Sequence, residues 1–253
     1  MKKIIALMLV VVLAATSAFV LASCGDNGNT KSEDNTKELH MATNAFFEPY
    51  EYYEGKKIVG IDAEIAEAIC DKLGYKLVID DMEFDSIITA VSSGKADFGM
   101  AGMTVTDERK KAVDFTDSYT TATQVIIVPE KDSKVNNADD IAKASVGVQL
   151  GTTGDLYVSD VEGASVERFS KGADAVLALT KGKVDCVVID NEPAKAFVEQ
   201  NEGIKILDDP FENEDYAICL KKGSDLTEKI NGALSELKND GTIKKIVDKY
   251  IGD

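Results

Sequence analysis

The feature that most limits the fold is a short pattern that occurs twice. Gly94-Lys95-Ala96-Asp97-Phe98 and Gly182-Lys183-Val184-Asp185-Cys186 stand 88 positions apart, with Ala90 and Ala178 in the same register ahead of them. In each copy a helical apolar face stops at a glycine, which accepts a left-handed cap at little cost, and an apolar strand follows through an Asp. Two similar α/β lobes would produce this repeat; the competing reading is that helix, Gly, Lys and strand form common punctuation and coincide by chance.

The flanking sequence keeps the same alternation. Glu38 to Thr43 predicts a strand, and Ile65, Ile69 and Leu73 recur at helical spacing before Gly74. Strands are predicted over 76–79, 96–100, 146–149, 184–189 and 204–207, helices over 86–91, 173–179 and 193–198, and two closing helices on either side of Gly241. The class is therefore α/β. Apolar runs at 123–128 and 216–220 are the expected crossings between lobes. They divide the chain into 38–127 with 221–253 as lobe 1 and 128–220 as lobe 2, with hinges near 126–130 and 217–221.

The first residues carry a separate signal. Lys2 and Lys3 precede an apolar run over 4–20, and Leu21-Ala22-Ser23-Cys24 closes it without a basic stop-transfer flank. The motif resembles a bacterial lipobox, so 1–23 is expected to be a lipoprotein signal peptide and Cys24 the lipidated residue, anchored through acyl chains rather than a membrane span. An ordinary secretory peptide cut nearby is the alternative. Residues 24–37 contain nothing apolar enough to enter a core and form a flexible tether.

Charge and composition exclude other classes. With 28 Lys and Arg against 45 Asp and Glu, the net charge of −17 argues against a nucleic-acid partner. One histidine and four scattered cysteines, with no CxxC or HExxH, predict neither a metal site nor a cofactor. Cys186 and Cys219 fall on strands assigned to the same lobe, where a disulfide and two buried thiols are both open.

Several strand exits carry groups suited to an amino acid. Arg109 follows Ala101-Gly102-Met103-Thr104 and is able to grip a carboxylate with two parallel hydrogen bonds, or else faces solvent behind a helix capped by Thr106. Gln149-Leu150-Gly151-Thr152-Thr153-Gly154 either presents N–H groups to an anion or is a plain strand-to-helix turn. Asp190, at the end of its strand, suits an ammonium or caps the next helix. Phe47 and Phe84 lie where aromatic faces sandwich a side chain, although each also suits a core.

Taken together, Gly60-Ile61-Asp62-Ala63-Glu64-Ile65-Ala66, Phe84-Asp85-Ser86-Ile87-Ile88 and Gly102-Met103-Thr104-Val105-Thr106-Asp107-Glu108-Arg109-Lys110 resemble the family 3 extracellular solute-binding proteins over nearly all of 38–253. The resemblance implies a bilobal, type II periplasmic-binding-protein-like fold with two hinge strands. It also implies capture of a polar L-amino acid, glutamine, arginine or lysine, for an ABC importer permease. Arg109, Thr104 and the backbone near Thr153 would hold the α-carboxylate and Asp190 the α-ammonium. Phe47 and Phe84 would clamp the side chain, with Asn44, Ala101, Gly102, Gln149 and Ile189 around it. Asn44 stands where binders of basic amino acids often carry an acid, which weakens the case for a basic ligand. Glu48 either restores an acceptor at the pocket mouth or is solvated. A monomer on the outer face of a Gram-positive membrane is expected, without catalysis. A receptor's sensing module and an enzyme related to cyclohexadienyl dehydratase are the alternatives on the same scaffold.

Overall fold

The computed structural model describes residues 37–208 and 210–252. The signal peptide, Cys24 and nearly all of the tether lie outside the described residues. The first part of the chain runs β1 (Glu38–Thr43), β2 (Phe46–Phe47), β3 (Glu51–Glu54), β4 (Lys57–Val59), α1 (Ile61–Leu73), β5 (Lys76–Asp81), α2 (Ile87–Ser93), β6 (Phe98–Gly99), α3 (Arg109–Ala112) and β7 (Val113–Phe115). It continues through β8 (Thr120–Pro129), β9 (Ser145–Gln149), α4 (Thr153–Ser159), β10 (Ser165–Phe169), α5 (Gly172–Thr180), β11 (Cys186–Asp190), α6 (Asn191–Gln200) and β12 (Ile204–Ile206). The last elements are β13 (Glu212–Tyr216), β14 (Cys219–Lys221), α7 (Leu226–Asn239) and α8 (Thr242–Ile251).

The strands form two open mixed sheets, each the floor of an α/β lobe, and a small antiparallel sheet β2-β3-β4. The first sheet has the order β5-β1-β6-β14-β7 and the second β10-β9-β11-β8-β12, with β13 also on β8. In each, three parallel strands in spatial order second, first, third meet an antiparallel strand. This is the bilobal α/β architecture expected of the type II fold.

The sequence repeat is also a structural repeat. Gly94 and Gly182 both take left-handed backbone at the end of their helices, and the amides of Lys95 and Lys183 return to the carbonyls of Ala90 and Ala178, 2.9 Å in both cases. Asp97 and Asp185 then make the same pair of bonds to the neighbouring parallel strand. The Asp97 amide donates to the His40 carbonyl and its Oδ2 accepts the His40 amide at 2.7 Å. The Asp185 amide donates to the Ser145 carbonyl and its Oδ2 accepts the Ser145 amide at 3.0 Å. The Asp thus starts each third strand in register, which is why the pattern recurs.

In the first lobe, Ile61, Ile65 and Ile69 bury one stripe of α1, and Ile230, Leu234 and Leu237 of α7 and Ile243 of α8 join the same core. The closing helices therefore return to lobe 1. The second lobe buries Ile126, Val128, Val146, Val148, Val158 and Val188 on one side of its sheet.

The chain changes sheet between β7 and β8, over 116–119, and between β13 and β14, over 217–218. These connections lie side by side: the Thr116 amide donates to Ile218 O (3.0 Å), Ile218 N–H to Thr116 Oγ1 (3.1 Å) and Tyr119 N–H to Tyr216 O (2.9 Å). The expected 126–130 crossing falls instead inside β8, whose Gln124, Val125, Ile126 and Ile127 already pair with β11. An apolar run signals burial on both faces and does not mark the strand's point of entry. Cys219 lies in the first sheet and Cys186 in the second, so they do not share a lobe; Cys70, Cys186 and Cys219 are free and buried.

Candidate functional site

The carboxyl ends of the central strands of both sheets converge on one cleft, as open α/β sheets arrange their ligand groups. From the first lobe, Asn44 follows β1, Ala101, Gly102 and Thr104 follow β6, Phe84 precedes α2, and Arg109 opens α3. From the second, Gln149 ends β9, Thr152 and Thr153 begin α4, and Asp190 ends β11. The structure brings all ten sequence-predicted site residues, Asn44, Phe47, Phe84, Ala101, Gly102, Thr104, Arg109, Gln149, Thr153 and Asp190, around one cavity between the lobes.

Arg109 is buried and does not face solvent, even though Thr106 does cap its helix by accepting the Arg109 amide at 3.1 Å. Its Nη1 donates to Thr104 O at 2.6 Å and its Nη2 reaches Gly151 O in the other lobe at 3.1 Å. The guanidinium lies 5.4 Å from the centre of the Phe84 ring, within the range of a cation–π contact. Two carbonyls and an aromatic face fix the fork, but neither carbonyl carries the negative charge that a buried guanidinium favours.

Asp190 stands at the N-cap position of α6 yet its side chain caps nothing there. It accepts the Tyr216 hydroxyl instead, and burial, followed by the charge of Glu214, pushes its carboxyl up to about 8. A buried acid raised in this way would be re-ionised by a cation placed beside it. Glu214 is itself held by the Thr104 hydroxyl (2.9 Å) and Gln124 Nε2 (3.0 Å), so Thr104 ties the arginine's carbonyl acceptor to this acidic group.

Phe47 stacks on Tyr50, with ring centres 5.8 Å apart, and Tyr50 meets Tyr216 edge-on at 5.2 Å. Gly102 lets the clamp close: its φ is +52°, and a Cβ there would stand 2.7 Å from Phe47 Cε1. Phe46 is partly exposed beneath Lys171, whose ammonium sits 3.5 Å from the ring centre, whereas Tyr50 is core. Ile189 turns away from the cleft and packs on Gly172, leaving it outside the cavity lining. Strand alternation decides this, because Asp190 faces the ligand side and its neighbour cannot.

Several contacts join the lobes across the cleft. Gln149 Nε2 donates to Asn44 Oδ1 (3.0 Å), Arg109 reaches Gly151, and Gln200 Nε2 donates to Glu48 Oε2 (3.2 Å), which places Glu48 at the rim. Three contributors escaped the sequence reading. Thr152 lines the cavity as the cap of α4, Tyr216 carries Asp190, and Glu51 lines the cavity fully buried. Nothing in Glu51-Tyr52-Tyr53-Glu54 marks Glu51 as buried; the β2–β3 pairing sets it opposite Phe47 and turns it inward.

Residues 39–253 match the sequence profile of the bacterial extracellular solute-binding proteins, family 3. The chain is 38% identical over 248 residues to the arginine-binding extracellular protein ArtP of Bacillus subtilis (strain 168), covering 96% of each. Among solved structures it is similar to an ancestral arginine-binding protein bound to arginine, with a TM-score of 0.81, 43% identity, and coverage of 85% of this chain and 98% of that one. An ancestral arginine-binding protein bound to glutamine is similar at a TM-score of 0.79 and 42% identity, with the same coverage.

Proposed function

Because the chain belongs to the bacterial extracellular solute-binding proteins, family 3, we propose that it captures one polar L-amino acid, glutamine, arginine or lysine, and hands it to an ABC importer permease by closing its two lobes. The observation that carries this reading is a buried guanidinium on one lobe and a buried carboxyl on the other, both lining one cavity. Arg109 would take the α-carboxylate with its fork, Thr104 and the α4 N-terminus would assist, and Asp190 would take the α-ammonium. Phe47 and Phe84 would hold the side chain, with Asn44 and Gln149 as its polar contacts.

Motion would be confined to 116–119 and 217–218. These adjacent connections hydrogen-bond to one another, so small dihedral changes in both would swing a lobe while each core stays packed. No chemical step is needed. Binding in the micromolar range corresponds to about −8.2 kcal/mol net of desolvation and lost motion. Anchoring through Cys24, on the outer face of a Gram-positive membrane, would keep a monomeric receptor beside its permease; among the described residues no helix is long and apolar enough to cross a membrane.

Calorimetric titration of protein stripped of carried ligand by unfolding and refolding, against the twenty amino acids, cystine and ornithine, tests the reading. The expected result is saturable heat for a small group of polar L-amino acids, lost on Arg109→Ala and on Asp190→Ala. Silence from well-folded protein across the whole panel would refute it.

A further inference from the structure

Glu51 has no task in the reading above. It is buried at 1% exposure and lines the cavity, yet no N–H or O–H among the described residues reaches either of its carboxyl oxygens. The group it meets is another acid. Asp62, in the first turn of α1, uses Oδ2 to accept the Gly102 amide (2.9 Å) and the Tyr119 hydroxyl (2.8 Å), while its Oδ1 is also without a donor. Burial, followed by the charge of Asp62, holds the Glu51 carboxyl well above the usual carboxylate range. Two ionised carboxylates side by side offer acceptors alone, so one proton stays on the pair.

The surroundings decide which acid holds that proton. Asp62 already receives two donors that favour its charged form, whereas the titratable groups acting most strongly on Glu51 are the acids Asp62, Asp190 from β11 and Asp81 from β5, none of which offers a positive charge. Tyr50 and Tyr119, the other titratable groups packed here, are themselves kept protonated by burial. Glu51 is therefore the protonated member. Of the buried acids, Glu51 and Asp190 line the cavity and Asp62 and Glu214 stand behind it, and among the described residues Arg109 is the one buried base. A neutral zwitterion leaves this imbalance unchanged, and a cationic amino acid reduces it by one.

We propose that the Glu51–Asp62 pair is the side-chain subsite of the amino-acid pocket, holding one shared proton in the free protein and releasing it to solvent when a guanidinium or ammonium of the ligand takes its place. The inference rests on the amino-acid reading above and narrows it to a cationic ligand. Charge balances in the exchange: one positive group enters, Glu51 gives up one proton to buffer, and an ion pair is left. A neutral side-chain amide cannot replace that charge and leaves the proton where it is.

The test is calorimetry on the full-length protein at pH 7 in two buffers of different ionisation enthalpy, with arginine and glutamine as probes. Any ammonium placed at Asp190 is common to both, so the difference between them isolates Glu51. Arginine is expected to release about one proton more than glutamine, and its affinity relative to glutamine to rise by up to about tenfold per pH unit while the free pair is protonated. Glu51→Gln should abolish the extra proton and cut the arginine-to-glutamine preference about tenfold or more. Should that variant fail to fold, the relative affinities of the unaltered protein across pH 6 to 8 decide. Equal proton counts, a ratio flat in pH, or glutamine binding without arginine would each overturn the inference and leave amino-acid capture standing. Failure of every amino acid to bind would remove both.

Discussion

Asp62 allows a sharp test of the electrostatics around the cleft. Its side chain is fully buried, and burial pushes its carboxyl from 3.8 up to about 6 against the opposing donors of Gly102 and Tyr119. A raised acid binds its proton more tightly in the native state than in the unfolded chain. Stability therefore falls as pH rises from the unfolded value through the folded one, and is level above it. A shift of roughly 2 units is about 3 kcal/mol once Asp62 is ionised, of which about 2 kcal/mol is lost between pH 4.5 and 7.5. Asp62→Asn keeps the shape and one acceptor for Gly102 and Tyr119 but cannot ionise. In urea denaturation of ligand-free protein, the stability of the variant relative to the unaltered protein should therefore be about 2 kcal/mol higher at pH 7.5 than at pH 4.5. Comparing the two proteins cancels the self-repulsion of a chain with net charge −17, which also grows with pH. A relative stability equal at both pH values, or one that moves the other way, would refute the assignment of Asp62 as a buried, destabilised carboxylate.

Two further outcomes follow from the fold. Gly60→Ala should cost about 2 kcal/mol or more in the same assay, because φ is +123° and a Cβ would stand 2.2 Å from the Tyr50 carbonyl oxygen; Gly182→Ala, at +65° with open space around it, should cost only about 1 kcal/mol. Equal losses at the two sites would contradict the close approach at Gly60. Burial pushes the thiols of Cys70, Cys186 and Cys219 up to about 12, so a thiol reagent should label none of the three in native protein and all three in urea, read by peptide mass. Native labelling of Cys186 or Cys219 would show that its strand opens.

Local rules made much of this molecule legible. The two Gly-Lys-x-Asp runs announced paired lobes because helix stop, left-handed cap and strand start are all chemistry of adjacent residues. Arg109, the 149–154 loop and Asp190 stand out because they lie just past apolar strands, where open α/β sheets expose ligand groups, whereas Asn44 enters the site only through the family resemblance. What could not be read depends on partners far along the chain. The end of β8 was visible at Pro129, but its start at Thr120 is set by pairing with β13, some ninety residues later. The run at 216–220 marks a crossing in the sequence, but not that the chain has already joined the first sheet at Cys219, which is what separates it from Cys186. The family resemblance sets both Ile189 and Asp190 around the ligand, although a strand permits only one of two neighbours to face it.

Glu51 is the deepest of these omissions, and its surroundings explain how the cleft is organised. Among the described residues, Glu51, Asp62, Gln124 and Glu214 supply five of the seven buried side-chain atoms left without a hydrogen-bond partner, and all five are acceptors. A buried acceptor without a donor carries a desolvation penalty of about 1–3 kcal/mol, more if charged, and the fold gains nothing from gathering several at one place. The donors already present are used: Arg109 is committed to two carbonyls, the Thr104 hydroxyl to Glu214, and Gln149 to Asn44. On the proposed amino-acid reading, the ligand brings donors to these acceptors. An α-ammonium near Asp190 supplies some of them, but it leaves Glu51 and Asp62 sharing a proton. Under the inference drawn above, a second cationic group on the same molecule would meet the acceptors of Glu51 and Asp62 while the two lobes stay closed.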